Sequence, residues 1–403
     1  MTSASVGTPG YSSLFWLALG TFAIGTEGFM IAGLLPGIAS DVSVSIEQAG
    51  QLVTFFALAY AISSPILTTL TGHFDKRKVL ISSMLAFVFA NLLAFEAQGY
   101  WTLLGARLLL AFAAGLYAPN ANALAAALVP PEKRGSALAV VNGGTTLALV
   151  IGVPLGALIG NQLGWRMTFA GVAVLAVIAL GGLLLGLHQH VGRGMPTASL
   201  AERIAVAKDP AVLRIILVTT LWTTGAFCNY TYLASYLTRT TGISGSSISE
   251  VLFVWGISAA IGMFGGGYLT DRLGHRKVGV AALLVLVASF ASLSLIAHWL
   301  PPGEALVPVL LVLMCWGLAG WAFFPSQLSR LVEAAGPRVA PVALPLNASF
   351  LNLGISLGAA LGSFTLVTGT SADLGWVAAC CEVVAVSLLL YVVRRPLVRP
   401  ATA

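Results

Sequence analysis

The sequence predicts an all-α membrane protein with twelve transmembrane helices in two pseudo-symmetric six-helix bundles. Three observations support this prediction. First, 58% of the 403 residues are hydrophobic and 8% are charged, whereas soluble domains have about 25% charged residues. Second, apolar windows of about 20 residues, the length of a helix that crosses a bilayer, recur along the chain. Third, lysine and arginine collect in every second break between these windows.

The apolar windows define the spans in order. Short polar breaks separate each window from the next, so each one is expected to cross the membrane once. The windows lie near residues 13–37, 49–71, 79–98, 101–127, 136–160, 167–187, 212–236, 248–270, 278–298, 305–327, 340–366 and 375–393. The longest polar stretch follows the sixth window and contains glycine and proline. We interpret residues 188–210 as a cytoplasmic linker between an N-terminal bundle, residues 1–187, and a C-terminal bundle, residues 211–403.

The positive charges indicate the orientation. If the N-terminus is cytoplasmic, the inner loops contain 17 of the 20 lysines and arginines; Arg166 and Arg239 then lie outside, and Arg107 lies within a helix. Because cytoplasmic loops carry such an excess of positive charge, we expect both termini in the cytoplasm. The net charge of +6 is then a signal of topology and does not indicate nucleic-acid binding.

The two halves of the chain repeat each other. Residues 152–160 (GVPLGALIG) in the fifth window return as residues 354–362 (GISLGAALG) in the eleventh, and the basic turn 76–78 (KRK) returns as 275–277 (HRK). These offsets are close to half the chain length. A duplicated six-helix unit in the same orientation is the parallel repeat of one large class of secondary transporters.

One loop identifies a family. Residues 267–277 (GYLTDRLGHRK) resemble the signature G-x-L-x-D-R-x-G-x-R-K of the major facilitator superfamily. The Gly/Pro pattern of the fifth window is similar to that of its drug and sugar efflux antiporters, and the resemblance covers the whole chain. The first half departs from the signature, since Gly72 replaces its Asp and Asp75 replaces its second Gly. The resemblance implies the major facilitator fold, with a cytoplasmic gate formed by Asp75, Arg77, Gly267, Asp271, Arg272, Gly274, Arg276 and Lys277.

The candidate proton-coupling residues are Glu27 and Arg107. Glu27 lies near the middle of the first window, where a carboxylate costs roughly 2.5–3.5 kcal/mol on insertion scales. It could carry one proton per cycle or hold a cationic substrate, and the alternative is a glutamate that only holds helices together. Arg107, in the fourth window, could pair with Glu27 and sense its protonation, or it could form a structural bridge with Glu96 near the outer end of the third window.

The resemblance also implies which helices line the substrate cavity. Large aromatic side chains with a few amides suit a lipophilic or amphipathic ligand, although aromatic residues also pack helices or lie at the membrane interface. The candidate cavity residues are Met30, Asn120, Asn142, Trp222, Phe227, Asn229, Tyr230, Trp316, Trp321, Phe324 and Asn347.

The repeated glycines predict a seam between moving helices. Glycines four residues apart form a smooth helix face for close approach, and a proline removes one backbone donor and can bend the fifth span. In the superfamily the fifth and eleventh helices face the opposite half. We therefore expect the seam between the halves at Gly152, Pro154, Gly156, Gly354 and Gly358.

We therefore expect a proton-coupled secondary transporter that exports a small, lipophilic or amphipathic organic compound by alternating access. No nucleophile–base pair, metal-ligand set or Walker A sequence is visible, so we expect neither an enzyme nor a cofactor. Two alternatives stay open: a proton-coupled uptake symporter for a sugar, nucleoside or organic acid, and a membrane receptor or scaffold that does not transport. The expected partners are the substrate, protons and the lipid bilayer of a bacterial inner membrane, and the protein is expected to be a monomer.

Overall fold

The computed structural model describes residues 11–187 and 198–394, and the regular elements in these two stretches are all helical. The α-helices are α1 (Tyr11–Asp41), α2 (Ile46–Leu70), α3 (Lys76–Phe95), α4 (Tyr100–Ala127), α5 (Arg134–Leu147), α6 (Val153–Leu163), α7 (Trp165–Gly186), α8 (Leu200–Lys208), α9 (Pro210–Tyr230), α10 (Leu233–Thr241), α11 (Ser246–Leu273), α12 (His275–Trp299), α13 (Pro302–Thr368) and α14 (Leu374–Arg394). A π-helical turn, Ala148–Gly152, joins α5 to α6, and short 3-10 turns occupy Pro131–Lys133 and Ser371–Asp373.

Within the described residues, twelve helical stretches are long and apolar enough to cross a membrane. The fifth span, Arg134–Leu163, combines α5, the π turn and α6, while α13 contains both the tenth span, Pro302–Gly336, and the eleventh, Val339–Thr368. Gly336 separates these two spans with a φ of 71°, a conformation that glycine adopts without the strain caused by a Cβ atom. Each predicted window overlaps one span, so the prediction of twelve spans is confirmed.

The predicted linker is partly helical. Residues 188–197, which include Arg193, lie outside the described residues, as do Arg395 and Arg399. The helix α8 begins with a capping box in which Ser199 and Glu202 bond each other's backbone, and the Ser199 backbone N–H holds the pKa of the Glu202 carboxyl below its usual value. One apolar face of α8 packs on a cluster formed by α9 and α13, so the second part of the linker lies against the C-terminal half.

The two halves meet at one end of the molecule. Ser356 of the eleventh span donates a hydrogen bond to the Thr54 carbonyl of the second span at 2.9 Å, and Gln51 donates to Ser363 at 2.9 Å. In the described part of the chain, the side-chain hydrogen bonds between the halves all lie at mid-depth or toward the end opposite the basic turns 76–78 and 275–277. The halves are therefore closed at the end opposite these turns.

The repeated glycines have a different position from the one we expected. Gly152 and Gly156 face the first span, and Gly354 and Gly358 face the seventh, because a Cβ atom added at any of them would meet that neighbour closely. These spans belong to the same half as the glycines, so the strips pack helices within each half. Pro154 follows the π turn, and its missing N–H removes a donor from the regular α-helical ladder there. The halves meet instead where the second span contacts the eleventh and the fifth contacts the eighth.

Candidate functional site

A cavity of about 230 Å³ lies between the two halves. The first, second, fourth and fifth spans line it from one half, and the seventh, eighth, tenth and eleventh line it from the other. Its polar lining residues are Thr21, Tyr60, Asn142, Thr145, Thr146 and Asn352, and its aromatic lining residues are Phe29, Phe56, Tyr60, Phe227, Trp321 and Phe324. In the part of the chain that the structure describes, no Asp, Glu, Lys, Arg or His side chain lines the cavity. The cavity therefore presents hydroxyl and amide groups and aromatic faces without a formal charge.

A smaller pocket of about 40 Å³ shares Phe29, Phe227 and Trp321 with this cavity. Its remaining walls are largely aromatic. The rings of Tyr230 and Trp255 are 4.9 Å apart between centroids, and the Tyr230 hydroxyl donates to the Phe29 carbonyl of the opposite half at 3.3 Å. Aromatic pairs at such distances stabilise each other beyond their buried area. The pocket thus extends the aromatic side of the cavity toward the closed end of the molecule.

The structure brings together most of the candidate cavity residues. Those that line the cavity or the pocket are Asn142, Trp222, Phe227, Tyr230, Trp316, Trp321 and Phe324. Those that lie outside both linings, and are buried in helix packing, are Met30, Asn120, Asn229 and Asn347. Asn120 donates to the carbonyl one turn earlier at 2.7 Å, and Asn347 accepts from the Thr219 hydroxyl at 2.8 Å. An amide inside a membrane bundle can join helices, and Asn347 does so.

The buried ion pair joins the first and fourth spans. Arg107 Nη1 donates to Glu27 Oε1, and both side chains are fully buried. Of the two partners that the sequence left open for Arg107, the structure has Glu27; Glu96 is exposed at the end of α3. Glu27 Oε2 and Arg107 Nε and Nη2 have no hydrogen-bond partner within the described residues. Because burying two charges with unsatisfied hydrogen-bonding atoms is costly, stability alone is a poor reason for this pair.

Packing of the first span sets the direction of Glu27. A Cβ atom at Gly25 would lie 2.9 Å from the Cβ of Ala148, so this face of the first span lies against the fifth. Two residues further along a helix, a side chain points about 200° away. Glu27 therefore points from the fifth span toward the second and fourth spans, where Arg107 lies.

Phe56 of the second span separates the ion pair from the cavity. The guanidinium carbon of Arg107 lies 4.3 Å from the centroid of the Phe56 ring, a cation–π contact. Phe56 also lines the cavity, whereas Glu27 and Arg107 do not. No periodicity or motif singled out Phe56, because its role depends on which helix lies beside the fourth span. The same holds for Phe29 and Trp255.

The candidate gate residues differ between the two halves. In the first half, Asp75 accepts from the Arg77 backbone at the start of α3, and the Arg77 guanidinium donates to the Leu184 and Leu187 carbonyls at 2.8 Å. Arg77 thus connects the third span to the end of the sixth. In the second half, no hydrogen bond or ion pair within the described residues joins these side chains to the first half, and the exposed ones are Asp271, Arg272, Gly274, Arg276 and Lys277. Gly267 of the same loop has open space beside it.

Comparisons with known proteins agree with this architecture. The sequence profile of the Major Facilitator Superfamily matches residues 17–399. The chain is 34% identical to the uncharacterized MFS-type transporter YbcL of Bacillus subtilis, covering 94% of this chain and 95% of that protein. It is 34% identical to a chloramphenicol resistance protein of Streptomyces lividans, covering 94% of each. Among solved structures, a bacterial homologue of the human lysosomal transporter Spinster, in an inward-facing and unoccupied conformation, superposes with a TM-score of 0.70 at 19% identity, covering 97% of this chain and 96% of that one.

Proposed function

Because the chain belongs to the Major Facilitator Superfamily, we propose that it is a proton-coupled antiporter that exports a small amphipathic organic compound across a bacterial inner membrane. The protein is a multi-pass membrane transporter and not an enzyme. The observation that carries the proposal is the buried Glu27–Arg107 pair, which lies directly behind one wall of the cavity.

Alternating access fits the arrangement of the two halves. With the basic turns in the cytoplasm, as the positive-inside rule predicts, the contacts between the halves close the outer side. The cavity then belongs to an inward-facing state. The absence of ion pairs between Asp271 and the first half, among the residues that the structure describes, suits a cytoplasmic gate that forms in the opposite state.

The ion pair supplies a mechanism for coupling. In the inward-facing state Glu27 is paired with Arg107, which corresponds to a carboxylate that has released its proton. A proton that binds Glu27 from the outer side neutralises the carboxylate and leaves the Arg107 charge without a counter-charge. Phe56 contacts Arg107 and also lines the cavity. A change in the position of Arg107 therefore changes the wall that the substrate meets.

The direction of transport is supported by one relative. The protein of Streptomyces lividans is named for resistance to chloramphenicol, and a transporter that confers resistance lowers the internal concentration of the compound. No feature of the cavity favours the uptake of a sugar, nucleoside or organic acid over export.

The test uses the full chain in everted membrane vesicles with a proton gradient. Addition of a transported compound should release protons from the vesicle lumen, and cells that express the protein should tolerate more of that compound. If cells that express the gene accumulate more of the compound, the protein is an uptake symporter and not an exporter. A broad panel that produces neither proton flux nor any change in tolerance or uptake would support the receptor or scaffold alternative.

A further inference from the structure

We propose that the exported compound is uncharged and combines an aromatic ring with at least one hydrogen-bonding group. This inference rests on the transport function proposed above and adds the substrate class. It follows from three features of the site: the absence of charge among the described lining residues, the position of the buried ion pair, and the concentration of the polar lining residues in the N-terminal half.

Among the residues that the structure describes, no charged or histidine side chain lines the cavity or the adjoining pocket. A cation that enters and is enclosed there loses hydration without gaining a counter-charge. Aromatic faces attract cations, but this attraction replaces only part of the lost hydration. An anion meets the same deficit, because no described lysine, arginine or histidine lines the space. An uncharged ligand avoids both penalties.

The ion pair cannot serve as the missing counter-charge. Glu27 and Arg107 are fully buried and bonded to each other, and Arg107 contacts the Phe56 ring that lines the cavity. When Glu27 binds a proton, the positive charge of Arg107 loses its counter-charge. In the inward-facing state, in which the compound binds, the two charges of the pair cancel, so the pair offers a cationic ligand no net counter-charge. Proton binding can instead be coupled to the binding of a neutral ligand through Phe56, which contacts Arg107 and lines the cavity.

The two sides of the cavity suit the two parts of such a ligand. Thr145 and Thr146 line the side formed by the fifth span, and Tyr60 lies on the second span. Their hydroxyl groups make no hydrogen bond within the part of the chain that the structure describes, so they are free to bond a ligand. The C-terminal half contributes Trp321 and Phe324 of the tenth span, whose rings lie 6.1 Å apart between centroids. This arrangement places a ring against the tenth span and polar groups toward the fifth.

The test compares three probes of different charge on the full chain in lipid nanodiscs. The probes are chloramphenicol, which is uncharged, tetraphenylphosphonium, a permanent cation, and salicylate, an anion. We expect chloramphenicol to bind at least tenfold more tightly than either ion, as followed by tryptophan fluorescence and by equilibrium dialysis. Equal or tighter binding of an ion, or no binding of chloramphenicol, would overturn the inference.

Single substitutions test the polar contacts and the absence of charge one at a time. Thr145→Val keeps the shape of the side chain and removes the hydroxyl, and should weaken chloramphenicol binding severalfold, whereas the matched control Thr238→Val, on α10 outside the cavity, should not. Asn142→Asp adds a carboxylate to the lining and should raise tetraphenylphosphonium affinity at least tenfold. Because binding is measured without a proton gradient, failure of the proposed function would appear separately, as binding without any compound-driven proton flux.

Discussion

The Glu27–Arg107 pair provides the sharpest test of the proposed mechanism. Both side chains are fully buried, and Glu27 is the group that balances the guanidinium charge. Glu27→Gln keeps the shape of the side chain and removes its charge. Removing one partner of a buried ion pair costs about 3–5 kcal/mol, because the other charge stays buried without compensation.

We therefore expect the free energy of unfolding of Glu27→Gln to fall by about 3–5 kcal/mol, which lowers the ratio of folded to unfolded protein by about two to four powers of ten. Reversible unfolding in mixed micelles, followed by circular dichroism, measures this loss. Arg107→Leu and the double variant complete a cycle. The double variant should recover much of the stability, because neither charge remains, yet it should not recover proton coupling.

Two results would refute the reasoning. An unfolding free energy equal to that of the wild type would mean that the Arg107 charge does not depend on Glu27. Full compound-driven proton flux in Glu27→Gln vesicles would mean that the transported proton binds elsewhere. Loss of proton flux with retained binding of the compound is the expected outcome, because Glu27 does not line the cavity.

Three further changes test the surrounding structure. Phe56→Leu removes the ring between Arg107 and the cavity, so the number of protons moved per compound should fall while binding persists; an unchanged ratio in flux measurements would contradict this. Gly256→Ala places a methyl group against the backbone of the fifth span, whereas Gly265→Ala in the same helix meets open space. Spin-label distances between the two halves at their closed end should therefore lengthen in the first variant and not in the second. Glu382 is buried, and neither of its carboxyl oxygens is bonded within the described residues. Glu382→Gln should therefore change the unfolding free energy by less than about 1 kcal/mol and leave proton flux intact. A loss of stability comparable to that of Glu27→Gln would show an unrecognised partner.

The sequence predicts those site residues that are ionisable or aromatic within otherwise apolar windows. Glu27 and Arg107 are ionisable groups inside apolar windows, where a charge is costly and therefore conspicuous. Their pairing was one of two open alternatives, because the sequence places Arg107 at a depth but does not specify the helix face that it shares. The aromatic residues of the seventh and tenth spans were recognisable by composition. Phe56 was not, since one phenylalanine among many apolar residues carries no signal.

The contact between the two halves could not be located from the sequence either. Glycines at four-residue spacing predict a close approach between helices, and the structure has close approaches at Gly152 and Gly354. The spacing does not identify the neighbour, which proved to be a helix of the same half. The actual contacts between the halves involve Ser356, Gln51 and Gly256, each of which is ordinary in its local sequence.

The sequence by itself determined the twelve spans, the repeat and the family, because the bilayer requires a long apolar helix for every crossing and leaves few topologies. The predicted orientation came from the same rule, applied to the loops. Only the tertiary structure decided which partner Arg107 has, that Phe56 separates this pair from the cavity, and that the cavity lining lacks charge. The physical reason is that these properties depend on how helices rotate and pack against one another. In a chain where most side chains are apolar, many rotations satisfy the hydrophobic pattern equally well, and the contacts between helices select one.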